Sequence, residues 1–185
     1  KSITKGKIYA LIIGISDYKD DGIRNLQFAH RDAQEFADYL GSKAGGSVPP
    51  AQIKLLTGEE ATVANIYTAK KWLEESTTKG DLVFFYFAGH GDVESDLYQL
   101  GFLLAYDTPE KNYLNNAVRI EDINNMANTL SVNKEVTTIL ITDACRSGKL
   151  VGEENKGKRL VGEQLAKVQK NEIRLTSCAA NELSE

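Results

Sequence analysis

The sequence predicts an α/β domain built around a mostly parallel sheet. Three observations predict it. Apolar runs at Ile8 to Ile15, Leu82 to Phe87 and Val136 to Ile141 are continuous rather than alternating, as in strands buried on both faces. Between them lie stretches whose apolar residues recur at helical spacing, so strands and helices alternate along the chain. Two of the strands end in glycine-flanked segments, Phe87-Ala88-Gly89-His90-Gly91-Asp92 and Thr142-Asp143-Ala144-Cys145-Arg146-Ser147-Gly148. Glycine permits sharp backbone turns, so a turn is predicted after each strand.

The elements follow in order. Ile8 to Ile15 is a first buried strand. Leu26, Ala29, Ala33, Phe36, Ala37 and Leu40 recur at helical spacing and predict a helix over 25–40. Gly41, Gly45-Gly46 and Pro49-Pro50 end it in a loop. A short strand follows over Gln52 to Leu56, and Thr62 is an N-cap for a helix carrying Val63, Ile66, Trp72 and Leu73. The third strand covers 81–87. An acidic loop at 92–99 leads to a short arm at 100–105, then to a weak helix over 120–130. The fourth main strand is Val136 to Ile141 and a fifth is Ile173 to Ser177, with a long polar stretch at 148–171 between them. That stretch has room for a partial helix at 163–170. No strand or helix follows the fifth strand to cover its edge, so a further polypeptide or C-terminal segment is expected to complete the fold there.

Composition narrows the function. The 185 residues make one domain, and 42% hydrophobic with 26% charged residues is a globular balance. The net charge of −4 argues against a nucleic-acid partner, which selects for a basic face. The apolar runs are too short for a membrane span. The N-terminal Lys1-Ser2-Ile3-Thr4-Lys5-Gly6 has no small-residue cleavage site, so no signal peptide is read. Two cysteines do not make a disulfide framework, and a reducing, cytoplasmic setting is expected.

In open α/β sheets ligands bind at the carboxyl ends of the strands. A histidine and a cysteine at two such ends suit nucleophilic catalysis. Cys145 is the candidate nucleophile, since a thiolate attacks a carbonyl well but a free thiol is mostly protonated near neutral pH. His90 is the candidate to take its proton and pass one to a leaving amine. The backbone N–H groups of Gly91 and Cys145 are the candidate oxyanion donors. Cys178 reads as a core residue, and His30 as structural or solvent-facing.

Tyr9-Ala10-Leu11-Ile12-Ile13-Gly14-Ile15, the 26–33 stretch, Phe87-Ala88-Gly89-His90-Gly91 and Asp143-Ala144-Cys145-Arg146-Ser147-Gly148 together resemble the caspase-like cysteine peptidases. The pattern is closer to metacaspases, paracaspases and bacterial caspase homologues than to animal caspases, whose Q-A-C-R-G motif has glutamine where this chain has Asp143. The resemblance implies a three-layer α/β/α fold with its C-terminal small-subunit part incomplete. It divides the single domain of 1–185 into a large-subunit-like core at 1–147, a processing-type linker at 148–171 and the start of a small-subunit-like part at 172–185. It makes His90 and Cys145 a catalytic dyad. It also matches Asp32, Asp143 and Glu182 to the acids that line the pocket for the residue before the scissile bond. Such acids select a basic side chain, because an unpaired buried charge is expensive and an arginine fork matches carboxylates.

The implied activity is cleavage of a peptide or protein substrate after Arg, or after Lys. A catalytically silent scaffold or adaptor in a signalling or defence complex is the alternative, and gingipain- or clostripain-like enzymes share the dyad and the basic preference. Lys149, Lys156, Lys158, Arg159, Lys167 and Lys170 place possible self-cleavage sites in the linker. Metacaspases commonly depend on calcium. Asp17, Asp20 and Asp21, and Asp92, Glu94 and Asp96, form two acidic loops without an EF-hand spacing, so no metal or other cofactor is assigned.

Overall fold

A computed structural model describes residues 6–94, 100–146, 161–168 and 170–177, with the backbone alone at Cys145 and Arg146. The strands are β1 (Ile8–Gly14), β2 (Ile53–Thr57), β3 (Leu82–Glu94), β4 (Leu100–Leu103), β5 (Val118–Arg119), β6 (Thr137–Arg146) and β7 (Glu172–Thr176). The helices are α1 (Ala29–Gly41), α2 (Val63–Ser76) and α3 (Ile120–Asn128). β2, β1, β3, β6 and β7 lie side by side and all run parallel. β1 leaves β3 at the Gly14–Ala88 pair, and β4 joins β3 antiparallel from Gly91 onward. β5 pairs with β4.

Alternation along the strands sorts the core into two faces. Ala10 and Ile12 of β1 pack with Ala33, Ala37 and Leu40 of α1, and Phe84 and Tyr86 of β3 lean on the same cluster. Tyr9, Leu11, Ile13, Phe85 and Phe87 point the other way, into a larger cluster with Ile66 and Leu73 of α2 and Ile123 and Met126 of α3. The result is helix, sheet and helix in three layers around a mostly parallel sheet, as the sequence predicts. No described helix is long and apolar enough to cross a membrane.

Several boundaries differ from the expectation. β3 runs through Gly89-His90-Gly91, and β6 runs through Cys145, so the strands do not turn at these motifs. Neither Gly89 nor Gly91 has a positive φ. What they supply is closeness. A Cβ at Gly89 would lie 3.0 Å from the Phe87 ring and 3.2 Å from the Tyr18 hydroxyl, and one at Gly91 would lie 3.2 Å from Val161 Cγ1.

α1 begins at Ala29 rather than at residue 25, because the preceding residues are held in a loop. Asn25 Oδ1 accepts the Tyr18 N–H and Ser16 O accepts the Leu26 N–H. Ser16 Oγ also accepts the His30 N–H at 3.1 Å, serving an N–H that the helix itself leaves unpaired. Thr62 caps α2 as expected, accepting from Asn65 N.

The helical turn expected at 163–170 lies at 161–165. Val161 and Leu165 are its two apolar anchors, both buried in the larger cluster. Of the linker at 148–171, residues 148–160 and 169 lie outside the described residues.

Candidate active site

The β3–β6 register builds the site. Tyr86 pairs with Ile141, Ala88 with Asp143 and His90 with Cys145. Partners in a parallel ladder share a face, and Tyr86 belongs to the α1 face. Positions 88, 90, 143 and 145 therefore lie on that face too, with the histidine and cysteine directly across from each other on neighbouring strands.

His90 is only 4% exposed. Its Nε2 lies 2.6 Å from the backbone carbonyl of Arg24. A carbonyl only accepts, so Nε2 carries the hydrogen, and Nδ1 is the acceptor in the neutral ring. The Tyr18 ring stacks on the imidazole with centroids 5.1 Å apart and planes 26° apart. The His90 N–H donates to the Tyr18 hydroxyl at 2.8 Å, and the His90 carbonyl accepts from Leu104 N. Burial pushes the Tyr18 phenol well above its ordinary range, against a smaller opposing effect of the His90 hydrogen bond, so it stays neutral. Since the N–H and carbonyl of His90 both face away from β6, the N–H of the next residue, Gly91, faces the β6 side.

Tyr18 and Arg24 belong to one loop between β1 and α1, and that loop is anchored elsewhere. Asp20 accepts from Gly22 N at 2.9 Å through Oδ1 and from Glu110 N at 2.9 Å through Oδ2. These N–H donors, Glu110 first, hold the Asp20 carboxyl below the usual carboxylate range. Lys19 N donates to Tyr106 O. The acidic residue that could be suspected of binding a cation is thus engaged with the backbone of a neighbouring loop. Asp92 is likewise engaged, accepting from the Tyr113 hydroxyl at 3.0 Å. Among the described residues no group of three His, Cys, Asp or Glu could hold a metal ion.

Asp32 sits in the first turn of α1 and Asp143 on β6, both exposed. They meet electrostatically at one group, the hydroxyl of Tyr86. Burial, then the Asp32 and Asp143 charges, push that phenol up to about 12. Tyr86 stacks on Phe36 of α1, with centroids 5.2 Å apart and planes 28° apart, which sets the helix and the strand at that spacing. Glu182 and Cys178 lie outside the described residues. His30 is exposed, with Nδ1 2.6 Å from Ser16 Oγ.

Sequence reasoning missed Tyr18, Ser16 and the Arg24 carbonyl. A backbone carbonyl leaves no mark in a sequence, and an aromatic residue in a loop carries no signal of what it stacks on.

A family model described as the caspase domain matches residues 7–185. Metacaspase-1A of Aspergillus oryzae is 31% identical over 102 residues, which is 52% of this chain and 23% of that protein. Metacaspase-1A of Aspergillus terreus is 32% identical over 98 residues, 50% of this chain and 23% of that protein. The match thus spans less than a quarter of the length of these curated relatives. The crystal structure of protein GSU0716 from Geobacter sulfurreducens superposes with a TM-score of 0.59 at 18% identity, over 77% of this chain and 52% of that one, and shares the fold. With the family model matching nearly its whole length and a parallel sheet of the corresponding architecture, the chain belongs to the caspase domain family.

Proposed function

We propose that the chain is a cysteine endopeptidase that cleaves after a basic residue, arginine ahead of lysine. The observation that carries this reading is the pairing of His90 with Cys145 on one sheet face, together with an imidazole whose Nε2–H is tied to Arg24 O. In the reaction His90 Nδ1 takes the thiol proton and the thiolate attacks the scissile carbonyl. The N–H groups of Gly91 and Cys145 stabilise the oxyanion. The C–N bond then breaks as His90 returns the proton to the leaving amine. Water, deprotonated by the same ring, releases the acid product and restores the thiol.

The basic preference rests on Asp32 and Asp143, which converge near Tyr86, and on Glu182 by resemblance. A guanidinium entering between the carboxylates exchanges water for charge-assisted hydrogen bonds.

The test is a fluorogenic panel with Arg, Lys, Asp and Leu before the reporter, with and without calcium, on the wild type, Cys145→Ala and His90→Ala. Turnover on Arg that both substitutions abolish supports the proposal. Turnover after Asp, or none on any peptide together with no labelling by a thiol probe, sinks it; the latter favours a scaffold. Intact masses of the wild type against Cys145→Ala report whether the linker is cut by the protein itself.

A further inference from the structure

β3 changes neighbours at the catalytic histidine. On the side away from β6 its partner is β1 up to Ala88, whose carbonyl accepts from Ile15 N at 2.9 Å. From Gly91 the partner is β4, with Leu104 N donating to His90 O at 2.9 Å. The N–H of His90 falls between the two, beyond the end of β1 and short of the reach of β4. A buried N–H in that position requires an acceptor, and no strand supplies one. The Tyr18 hydroxyl takes the vacant place at 2.8 Å, and the same ring lies flat against the imidazole.

We infer that Tyr18 is a positioning residue for His90: its hydroxyl stands in for the missing strand partner, and its ring fixes the plane of the imidazole on the sheet face that position 145 shares. The inference rests on the peptidase reading for its kinetic consequence, though not for the contact itself. Two constraints act on one side chain from one loop. Arg24 O determines which nitrogen carries hydrogen, and Tyr18 determines where the backbone and the ring sit. The stacked phenol adds a restraint on the ring plane that the Nε2 hydrogen bond does not itself supply. The close approach is possible because residue 89 is glycine, where a Cβ would crowd the Tyr18 hydroxyl at 3.2 Å.

The deciding variant is Tyr18→Phe, which keeps the stacked ring and removes only the acceptor. On an arginyl peptide, kcat is expected to fall about tenfold or more while KM stays within about twofold, since the loss is felt where proton transfer occurs. An unchanged kcat overturns the inference. A joint loss of kcat, KM and near-UV circular dichroism overturns it too, because that marks a merely structural residue.

A second measurement does not need turnover. In a Cys145→Ala background, NMR reads the His90 amide exchange rate and the two ring nitrogen shifts. Slow exchange of the His90 amide, lost in Tyr18→Phe with shifted ring nitrogen signals while Arg24 O keeps the hydrogen on Nε2, upholds the positioning role. The same spectra with and without the hydroxyl refute it. Should the wild type cleave no basic peptide, the peptidase reading falls, and the NMR comparison still decides whether Tyr18 holds His90.

Discussion

Asp143 and Asp32 are ordinary exposed carboxylates taken singly; their effect comes from where β6 and α1 bring them. The Asp143→Asn and Asp32→Asn substitutions are isosteric and leave folding intact. Each is expected to lower kcat/KM for an arginyl peptide by about tenfold, a loss of about 1.4 kcal/mol, with the double variant lower still. Steady-state kinetics on Arg and Leu reporters checks this, and an equal loss on both reporters would remove the charge argument. Tyr86 offers an independent reading of the same pair. Its phenol, pushed up to about 12, is neutral in the fold at pH values where an unfolded tyrosine ionises. Its contribution to stability is in place below about pH 10 and is lost as pH climbs through about 12. An ultraviolet titration, with Tyr86→Phe as the blank, should show its midpoint move down towards the ordinary tyrosine value in Asp143→Asn. The residues of the proposed site could be picked out in the sequence because histidine, cysteine and clustered acids are rare beside glycines at strand ends. Tyr18 was not legible, since its role depends on a stack and a hydrogen bond across 72 positions of chain.

β1 and α1 pack through backbone. A Cβ at Gly14 would overlap the Ala29 carbonyl oxygen and the Ala33 Cβ more closely than van der Waals contact allows. The obstructing atoms include main chain, which cannot swing aside. Gly14→Ala is expected to cost about 1–3 kcal/mol in urea unfolding. It should also push α1 outward and carry Asp32 away from Asp143, so the preference for arginine over leucine should narrow in the folded variant. Continuous apolar runs announced β1, β3 and β6, and helical spacing announced α1 and α2. Their ends were misjudged for a physical reason. Glycine beside histidine suggested a turn, whereas here it admits a phenol and a valine against a strand that stays extended. β5, two residues long, has no pattern to detect.

Across the molecule, the segment after the linker is fastened to the layer opposite α1. Arg174 and Glu172 form an ion pair with side chains 2% and 0% exposed. Arg174 also donates to Leu165 O and to Asn124 Oδ1, each at 2.6 Å, while Asn124 holds Gln164 O. Arg174→Leu takes the guanidinium away from the buried Glu172 carboxylate and is expected to cost about 3–5 kcal/mol. Hydrogen exchange at 161–168 should accelerate before the sheet itself loosens. The sequence showed the fifth strand and the room for a partial helix before it, but not the contacts that join them, because one buried arginine looks like any surface one. The longest continuous ladder in the sheet joins β3 to β6, from Leu82 with Thr137 to Gly91 with Arg146. Alternation makes that ladder a ruler with only one correct alignment. Displaced by a single notch, it would remain well paired yet deliver residue 145 to the side of α2 and α3, opposite the face that carries His90. For the proposed peptidase, strand pairing alone is therefore not enough for activity, and the fraction of Cys145 thiol reactive at equal helicity would count the molecules that aligned.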